Sequence, residues 1–391
     1  MRCIDVFTSL YQRDPVDVTF TPYRICPIGA HVDHQLGNIV GLAIDKGVRI
    51  AYGPKQNGIV ELTSLQFNKR AQFHVNSTPE VPEKDWADYM RGATLLLAQR
   101  YSLKIGMCGV IDGELPIGGL SSSAAVIITY LTALCKLNNI NISKAEMIEI
   151  AQAAENVYVG VSCGKLDQSC EVYCKKNHLL YMDFSDDSYE LIPTSPNMKP
   201  YKIAIFFSGV ERTLAGSKYN KRVDECRSAA YALKAFSGMK YDNFKATNLR
   251  DVPYEVYAQY KDRLPERWAM RAEHWYSEME RVKKGVEAWR NGDIELFGKI
   301  SSESGRSSIE KWKTGSPELK VLYEIMVDTE GVYGGRFSGA GFKGCCMAFI
   351  DPKFEESIAE KVKSEYLKAF PNLEGKYSMH ICESSDGAYL E

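Results

Sequence analysis

The sequence predicts an α/β (α+β) protein of two domains, and three observations carry that expectation. At 391 residues the chain is longer than a single core ordinarily serves. Runs of β-prone residues and helix-patterned segments are interspersed from one end to the other. One stretch, Gly113 to Ala125, joins both kinds. Met107–Asp112 before it is short and β-prone, Gly118 and Gly119 break the run, and Ala124–Leu137 is apolar without Gly or Pro.

In chain order, residues 17–28 read as extended. Val48–Tyr52 and Ile59–Thr63, with Gly53 and Gly58 between them, read as a hairpin. Trp86 to Leu97 reads as a helix with an aromatic at its entry. Ser143 and Glu146 form a capping box, and the helix they open shows Met147, Ile150, Ala151 and Ala154 at helical spacing. It should end near Gly160, with Glu155 late on it. Ser162–Ser169 reads as a glycine turn carrying Asp167 beside Gln168, and Asn177–Asp183 as a strand.

Further on, Tyr201–Phe207 reads as a strand and residues 215–236 as a helix carrying Tyr219 and Arg222. Residues 238–266 are polar and contain two prolines, so they carry no firm pattern. Helices are expected over Arg267–Arg290 and Glu318–Thr329. A second glycine cluster, Gly331–Gly344, precedes the strand Cys345–Ile350. Pro352 opens a helix to about Phe370, and Ser378–Cys382 closes as a strand.

Composition excludes several classes of function. The formal net charge is −2, so no field favours nucleic acid. No apolar run is long enough to span a membrane, and Asp5 interrupts the N-terminus where a signal peptide would be apolar. Eleven cysteines, scattered and often inside apolar runs, suit reduced, buried thiols and a cytoplasmic location. Cys170 and Cys174 lack the second pair that a zinc site requires.

The turn at Gly118-Gly119-Leu-Ser121-Ser122-Ser123 carries the first chemical expectation. Glycines let a backbone approach a ligand closely, and a helix N-terminus offers unpaired N–H groups and partial positive charge. The pattern suits phosphate, although a serine-capped turn without a ligand looks the same. It is neither a P-loop, lacking Gly-Lys-Ser/Thr, nor a dinucleotide fingerprint. Gly29-Ala30-His31-Val32-Asp33-His34-Gln35-Leu36-Gly37, close after Arg24, is a second polar loop of the density that functional loops show.

Together with Ser338-Gly339-Ala340-Gly341-Phe342 these stretches stand in an order that closely resembles the three motifs of the GHMP small-molecule kinases. The galactokinase branch is the most similar. Arg24-Ile-Cys-Pro-Ile-Gly29-Ala30-His31-Val32-Asp33-His34 resembles the signature Arg-Val-Asn-Leu-Ile-Gly-Glu-His-Thr-Asp-Tyr, and Trp86-Ala-Asp-Tyr89 and Cys163-Gly164-Lys-Leu-Asp167-Gln168 also match that branch. The resemblance covers about Arg24 to Cys346.

It implies a two-domain fold, here 1–195 and 196–391, with the active site in the cleft between them. It also implies transfer of the γ-phosphoryl group of ATP to a sugar hydroxyl with Mg²⁺. Pro116, Gly118, Gly119, Leu120, Ser121, Ser122, Ser123 and Ala124 would bind ATP, and Trp86 would stack on adenine. Ser123 (or Ser122) and Glu155 would hold Mg²⁺, being the oxygen donors a hard cation takes. Asp167 would accept or orient the proton of the anomeric hydroxyl, and Arg24 beside it would keep it ionised and offset charge on the moving phosphoryl group. His31, Asp33 and Tyr219 would contact the sugar, and Gly339 and Gly341 would close over it.

Two departures bear on the substrate. Ala30 stands where galactokinases carry the Glu that contacts the C6 hydroxyl, so galactose loses a designed contact. A sugar acid would favour Ala there, since like charges about 4 Å apart repel by about 4 kcal/mol at an effective dielectric of about 20. His34 replaces Tyr, and His can donate to a carboxylate. Lys46, Arg212 and Lys218 are further candidate partners. The substitution resembles the galacturonokinase variant, giving D-galacturonate as the expected substrate, with D-galactose or L-arabinose as alternatives. Lys343 and Ala340 replace glycines of the third motif. A non-catalytic sugar sensor is the alternative from another class, but Ser121–Ala125, Glu155, Asp167 and Arg24 are all intact.

Overall fold

A computed structural model describes the chain except at positions 211–215, 242 and 342–343, and except for the side chains of 216–218. The first half runs α1 (Arg2–Tyr11), β1 (Asp17–Ile28), β2 (Asn38–Lys55), β3 (Ile59–Ser64), β4 (Lys69–His74), α2 (Asp88–Ala98), β5 (Gly106–Gly113), α3 (Ser122–Leu137), α4 (Lys144–Ala153), α5 (Leu166–Tyr173), β6 (His178–Asp183) and β7 (Ser188–Pro193). The second runs β8 (Lys202–Phe207), α6 (Gly216–Phe236), α7 (Tyr254–Tyr260), α8 (Glu266–Arg290), α9 (Ile294–Glu310), α10 (Pro317–Val327), β9 (Val332–Phe337), β10 (Cys345–Ile350), α11 (Glu355–Ala369), β11 (Ser378–Cys382) and β12 (Tyr389–Leu390).

Two sheets organise these elements. In the first the strand order is β12-β1-β2-β5-β3-β4, with β6 paired to β2 and β7 to β6. In the second the order is β11-β8-β10-β9, antiparallel throughout. The helix α3 lies against β1, where Thr19 Oγ1 donates to the carbonyl of Thr129 at 3.0 Å. Its apolar residues Ile127, Ile128, Leu131 and Leu134 are fully buried, as the uninterrupted apolar run required. One continuous apolar cluster contains Ile25, Ile50 and Ile128 from the first half with Ile205, Phe297, Met347 and Phe349 from the second.

Most expected elements form, several to the residue: β1 occupies 17–28, and α8 stops before Asn291-Gly292. The Ser143 hydroxyl accepts from the Glu146 amide at 3.1 Å, while the Glu146 carboxylate is taken by Tyr101 at 2.9 Å and Arg100 at 3.2 Å. The expected β2–β3 hairpin does not form. β5 lies between them, antiparallel to β2 with Ile50 opposite Ile111, and parallel to β3 with Leu62 opposite Gly109. The antiparallel partner of β3 is β4, with Leu62 opposite Ala71.

The segment expected as a glycine turn before Ser169 becomes α5, and the long helix α9 has no counterpart in the sequence reading. All eleven cysteines are free thiols, and every one except Cys163 is buried. Among the described residues no helix is long and apolar enough to cross a membrane.

Candidate active site

The loop after β1 is held from behind by helices α8 and α9. The Gly29 amide donates to Glu278 Oε1 at 2.7 Å, and His274 Nε2 meets the Ala30 carbonyl at 3.0 Å. Glu278 also takes Arg281 Nε at 2.6 Å and the Ser304 hydroxyl, and lies 3.7 Å from Arg336. Arg336 is wholly buried and donates to the Ser304 and Ser308 hydroxyls. Burial opposes the charge on Glu278, but Arg281 and the other neighbours overcome it and hold the carboxyl down at about 2. His274 is kept neutral, its pKa lowered to about 4, chiefly by burial.

On the loop itself His31 has φ 65° and stacks on Trp312, ring centroids 5.1 Å apart and planes within 5°. Burial first, and then Arg336, pushes its pKa well down. Asp33 accepts the Leu166 amide at 3.2 Å, so the start of α5 is tied to the loop. Its pKa is raised to about 6, by burial and then by the charge of Asp167. Gly164 permits this approach, because a Cβ there would meet Asp33 Oδ2 at 2.2 Å.

Arg24 projects from β1 and is 3% exposed. Its Nε donates to Asp167 Oδ1 at 2.8 Å, and a second guanidinium nitrogen lies 2.6 Å from the same oxygen. Burial works against the Arg24 charge, but Asp167 outweighs it and the pKa is raised. The remaining arm of Arg24 donates to the Gly119 carbonyl at 3.2 Å and to the Ser338 hydroxyl at 3.4 Å. The acid–arginine pair is therefore bonded directly to the glycine turn before α3.

In that turn Gly118, Gly119 and Ser121 have φ of 151°, 86° and 59°. The second glycine cluster packs on it backbone to backbone. A Cβ on Gly339 would meet Gly119 Cα at 2.8 Å, and one on Gly344 would meet the Gly118 carbonyl carbon at 2.8 Å. Behind the start of α3, Ser123 Oγ donates to Glu155 Oε1 at 2.7 Å, and Gln168 Nε2 donates to Glu155 Oε2 at 2.5 Å. Glu155 is 5% exposed and sits in a π-helical turn, Ala154–Val159, that ends α4 at Gly160. Ser121 Oγ is buried without a hydrogen-bond partner.

The structure thus forms two bonded groups, Arg24 with Asp167 and Gly119, and Glu155 with Ser123 and Gln168, which meet at the adjacent residues Asp167 and Gln168, while Asp33 is bonded to the neighbouring Leu166 amide. A cavity of about 280 Å³ opens in front of Asp33 and His34, walled also by Cys163, Gly164 and Arg227. Tyr219 and His31 stand just behind, Tyr219 being 6.1 Å from His34 and 6.3 Å from His31. Ala30 is buried and is not part of that wall.

Gly339 lies against the phosphate turn rather than beside Asp33. Trp86 is half-buried at the entry to α2 and stacks on Phe67 at 6.2 Å. Lys46 pairs with its neighbour Asp45 at 3.5 Å and does not line the cavity. Arg212 and Lys343 lie outside the described residues, as does the Lys218 side chain.

Sequence reasoning missed the support behind the loop, namely His274, Glu278, Ser304, Trp312 and Arg336, and it missed Arg227. The signal available was the spacing of His274 and Glu278 one helical turn apart on α8, two polar residues on a face that also buries Ala272 and Val282.

A glycine turn at a helix N-terminus, bonded through Arg24 to the Asp167 carboxylate, with Asp33 on a polar cavity close by, suits a small-molecule phosphotransferase. The chain matches the family models for the GHMP kinases N terminal domain over residues 88–175 and the GHMP kinases C terminal over 285–369. It is 41% identical to a galacturonokinase of Arabidopsis thaliana, across 96% of this chain and 94% of that one. It is 32% identical to a galactokinase of Roseiflexus sp., across 97% and 94%. Lactococcus lactis galactokinase, solved in complex with galactose, superposes with a TM-score of 0.89 at 26% identity, covering 99% of this chain and 98% of that one. The chain belongs to the GHMP kinases and has their mixed α/β two-domain fold. It is a sugar kinase that uses ATP and forms a sugar 1-phosphate.

Proposed function

We propose that the protein phosphorylates the anomeric hydroxyl of D-galacturonate to give α-D-galacturonate 1-phosphate, in the cytoplasm, with halves that divide near residue 195. The observation that carries the reaction is the Arg24 guanidinium, which bonds Asp167 and the Gly119 carbonyl at once. The substrate reading rests on Ala30, which removes the carboxylate that would repel a uronate, and on the similarity to the Arabidopsis galacturonokinase.

In this reading the phosphate turn from Pro116 to Ala124 cradles ATP and Trp86 borders the adenine. Asp167 takes the proton from the anomeric oxygen as that oxygen bonds to the γ-phosphorus and the bond to ADP breaks. Arg24 holds Asp167 in place and offsets charge on the phosphoryl oxygens. Asp33 accepts hydrogen bonds from ring hydroxyls, with His31 and Tyr219 bounding the sugar. Ser123 and Glu155 would hold Mg²⁺. Their paired oxygens beside the phosphate turn are donors that suit it, and when bound it would neutralise charge on the β- and γ-phosphates.

The test is kcat/KM with Mg-ATP for D-galacturonate, D-galactose and L-arabinose, side by side. A preference for galacturonate upholds the reading. A preference for either other sugar leaves the kinase assignment standing and removes the substrate.

A further inference from the structure

The cavity before Asp33 is walled by polar groups that have no hydrogen-bond partner among the described residues. Both ring nitrogens of His34 are buried without a hydrogen-bond partner, and so is Nε of Arg227. Among the described residues the one carboxylate paired with Arg227 is Asp224, on its own helix at 3.5 Å, whose side chain is 60% exposed. The other cation on the wall among the described residues, Lys165, is closed off by Asp187 at 2.6 Å. His34 and Arg227 line the same cavity, and burial and then the Arg227 charge hold His34 down at about 3. Buried polar groups are ordinarily paired, and unpaired donors on residues that wall a cavity mark where an acceptor is missing.

The chemistry of the pair selects the acceptor. A guanidinium offers donors only, in a fork that fits the two oxygens of a carboxylate, and a neutral imidazole adds one more. A hydroxymethyl group would bring a donor of its own and leave the guanidinium charge uncompensated. We propose that Arg227, assisted by His34, is the seat for the C6 carboxylate of the sugar and the residue that sets uronate specificity. This rests on the galacturonate reading above. The cation pairing the carboxylate then comes from helix α6, and none of the lysines near the motifs is needed for it.

The experiment compares wild type, Arg227→Gln and Arg227→Lys on three sugars, D-galacturonate, its neutral methyl ester and D-galactose, with the melting temperature and KM for ATP measured on each protein. Wild type should prefer galacturonate to the ester. Arg227→Gln should lose about 10- to 100-fold in kcat/KM for galacturonate, mostly through KM, with galactose and the ester changed little. Arg227→Lys should recover part of the loss.

Equal losses on all three sugars in the Gln variant, or no loss on galacturonate, would overturn the assignment. If Arg227→Gln fails to fold, a Lys variant that folds and shows a reduced preference for the charged sugar supports the seat, and a Lys variant that leaves the wild-type preference and KM unchanged counts against it. A wild type that prefers galactose defeats the substrate reading itself. A wild type that prefers galacturonate, with a Gln variant that keeps that preference, defeats only the role of Arg227.

Discussion

Arg24 and Asp167 meet through a single carboxylate oxygen, Oδ1, which takes both Nε at 2.8 Å and a terminal guanidinium nitrogen at 2.6 Å. Both contacts fall on one oxygen, and no hydrogen bond from Arg24 to Oδ2 accompanies them. A carboxylate held in this way has one edge fixed and one edge available to a sugar hydroxyl.

Asp167→Asn should therefore keep the geometry and lose the reaction. The expected loss in kcat is about 10²- to 10⁴-fold, the range of a positioned general base. Calorimetric titration should show sugar binding within a few-fold of wild type. Turnover close to wild type would remove Asp167 from the chemistry.

Asp33 gives a pH signature. Its pKa is raised to about 6 in the folded protein, by burial and by Asp167. Above that value it is an acceptor for sugar hydroxyls, and below it the acidic proton competes. KM for the sugar should rise as pH falls through about 6, and Asp33→Asn should abolish that limb. The stability effect has the opposite sense to that of a salt-bridged acid. Between the ordinary aspartate value of 3.8 and about 6 the folded state holds the extra proton, so this residue lowers stability as pH rises through that window. Urea unfolding of wild type and variant at pH 4 and pH 7 measures it.

Glu278 behaves in the reverse way. Its pKa lies at about 2 against the ordinary glutamate value of 4.5, so its contribution is complete above 4.5 and is lost as pH falls toward 2. Glu278→Gln leaves Arg336 buried and uncompensated and should cost about 3–5 kcal/mol. Because the same carboxylate holds the Gly29 amide, KM for the sugar should rise along with the drop in melting temperature.

The sequence made the strands and helices of this site largely readable, because they follow apolar periodicity and the glycine breaks. α9 escaped because its buried apolar residues, Ile294, Phe297 and Ile300, are confined to its first two turns, and the rest of its buried face is Gly298, Ser301, Ser304, Gly305, Ser307 and Ser308, so the apolar periodicity is too short to mark a long helix. Ser301, Ser304 and Ser308 are buried because they donate to Pro27, Glu278 and Ser304. The misread β2–β3 pairing has another cause. Short separation favours a hairpin, but β5, arriving from residue 106 onward, takes the space between the two strands. The Arg24–Asp167 pairing followed from the motif resemblance, whereas Arg227 belongs to no motif and became visible only once α6 was packed.

Gly119→Ala tests the phosphate turn. The added Cβ would meet the Ser338 carbonyl at 2.8 Å and Cys345 Sγ at 2.9 Å, at a residue with φ 86°. KM for ATP should rise at least about 10-fold, for a strain of roughly 1–3 kcal/mol. Sugar binding without nucleotide should change little.

Glu155→Gln should raise the Mg²⁺ concentration needed for half-maximal rate while the hydrogen bond from Ser123 is kept. Removing divalent cations with EDTA should abolish turnover, and restoring Mg²⁺ should recover it. An unaltered Mg²⁺ dependence in the variant would take Glu155 out of the metal site.

The apolar cluster that joins Ile25 and Ile128 to Met347 and Phe349 has a bearing on how the molecule melts. A chain with two sheets invites a description as two modules, each able to stand by itself. Here the inward side chains of one sheet complete the interior of the other, and separating them would put Ile205, Phe297 and Phe349 in water. The calorimetric unit is the whole chain, and heating should give one transition whose van't Hoff and calorimetric enthalpies agree.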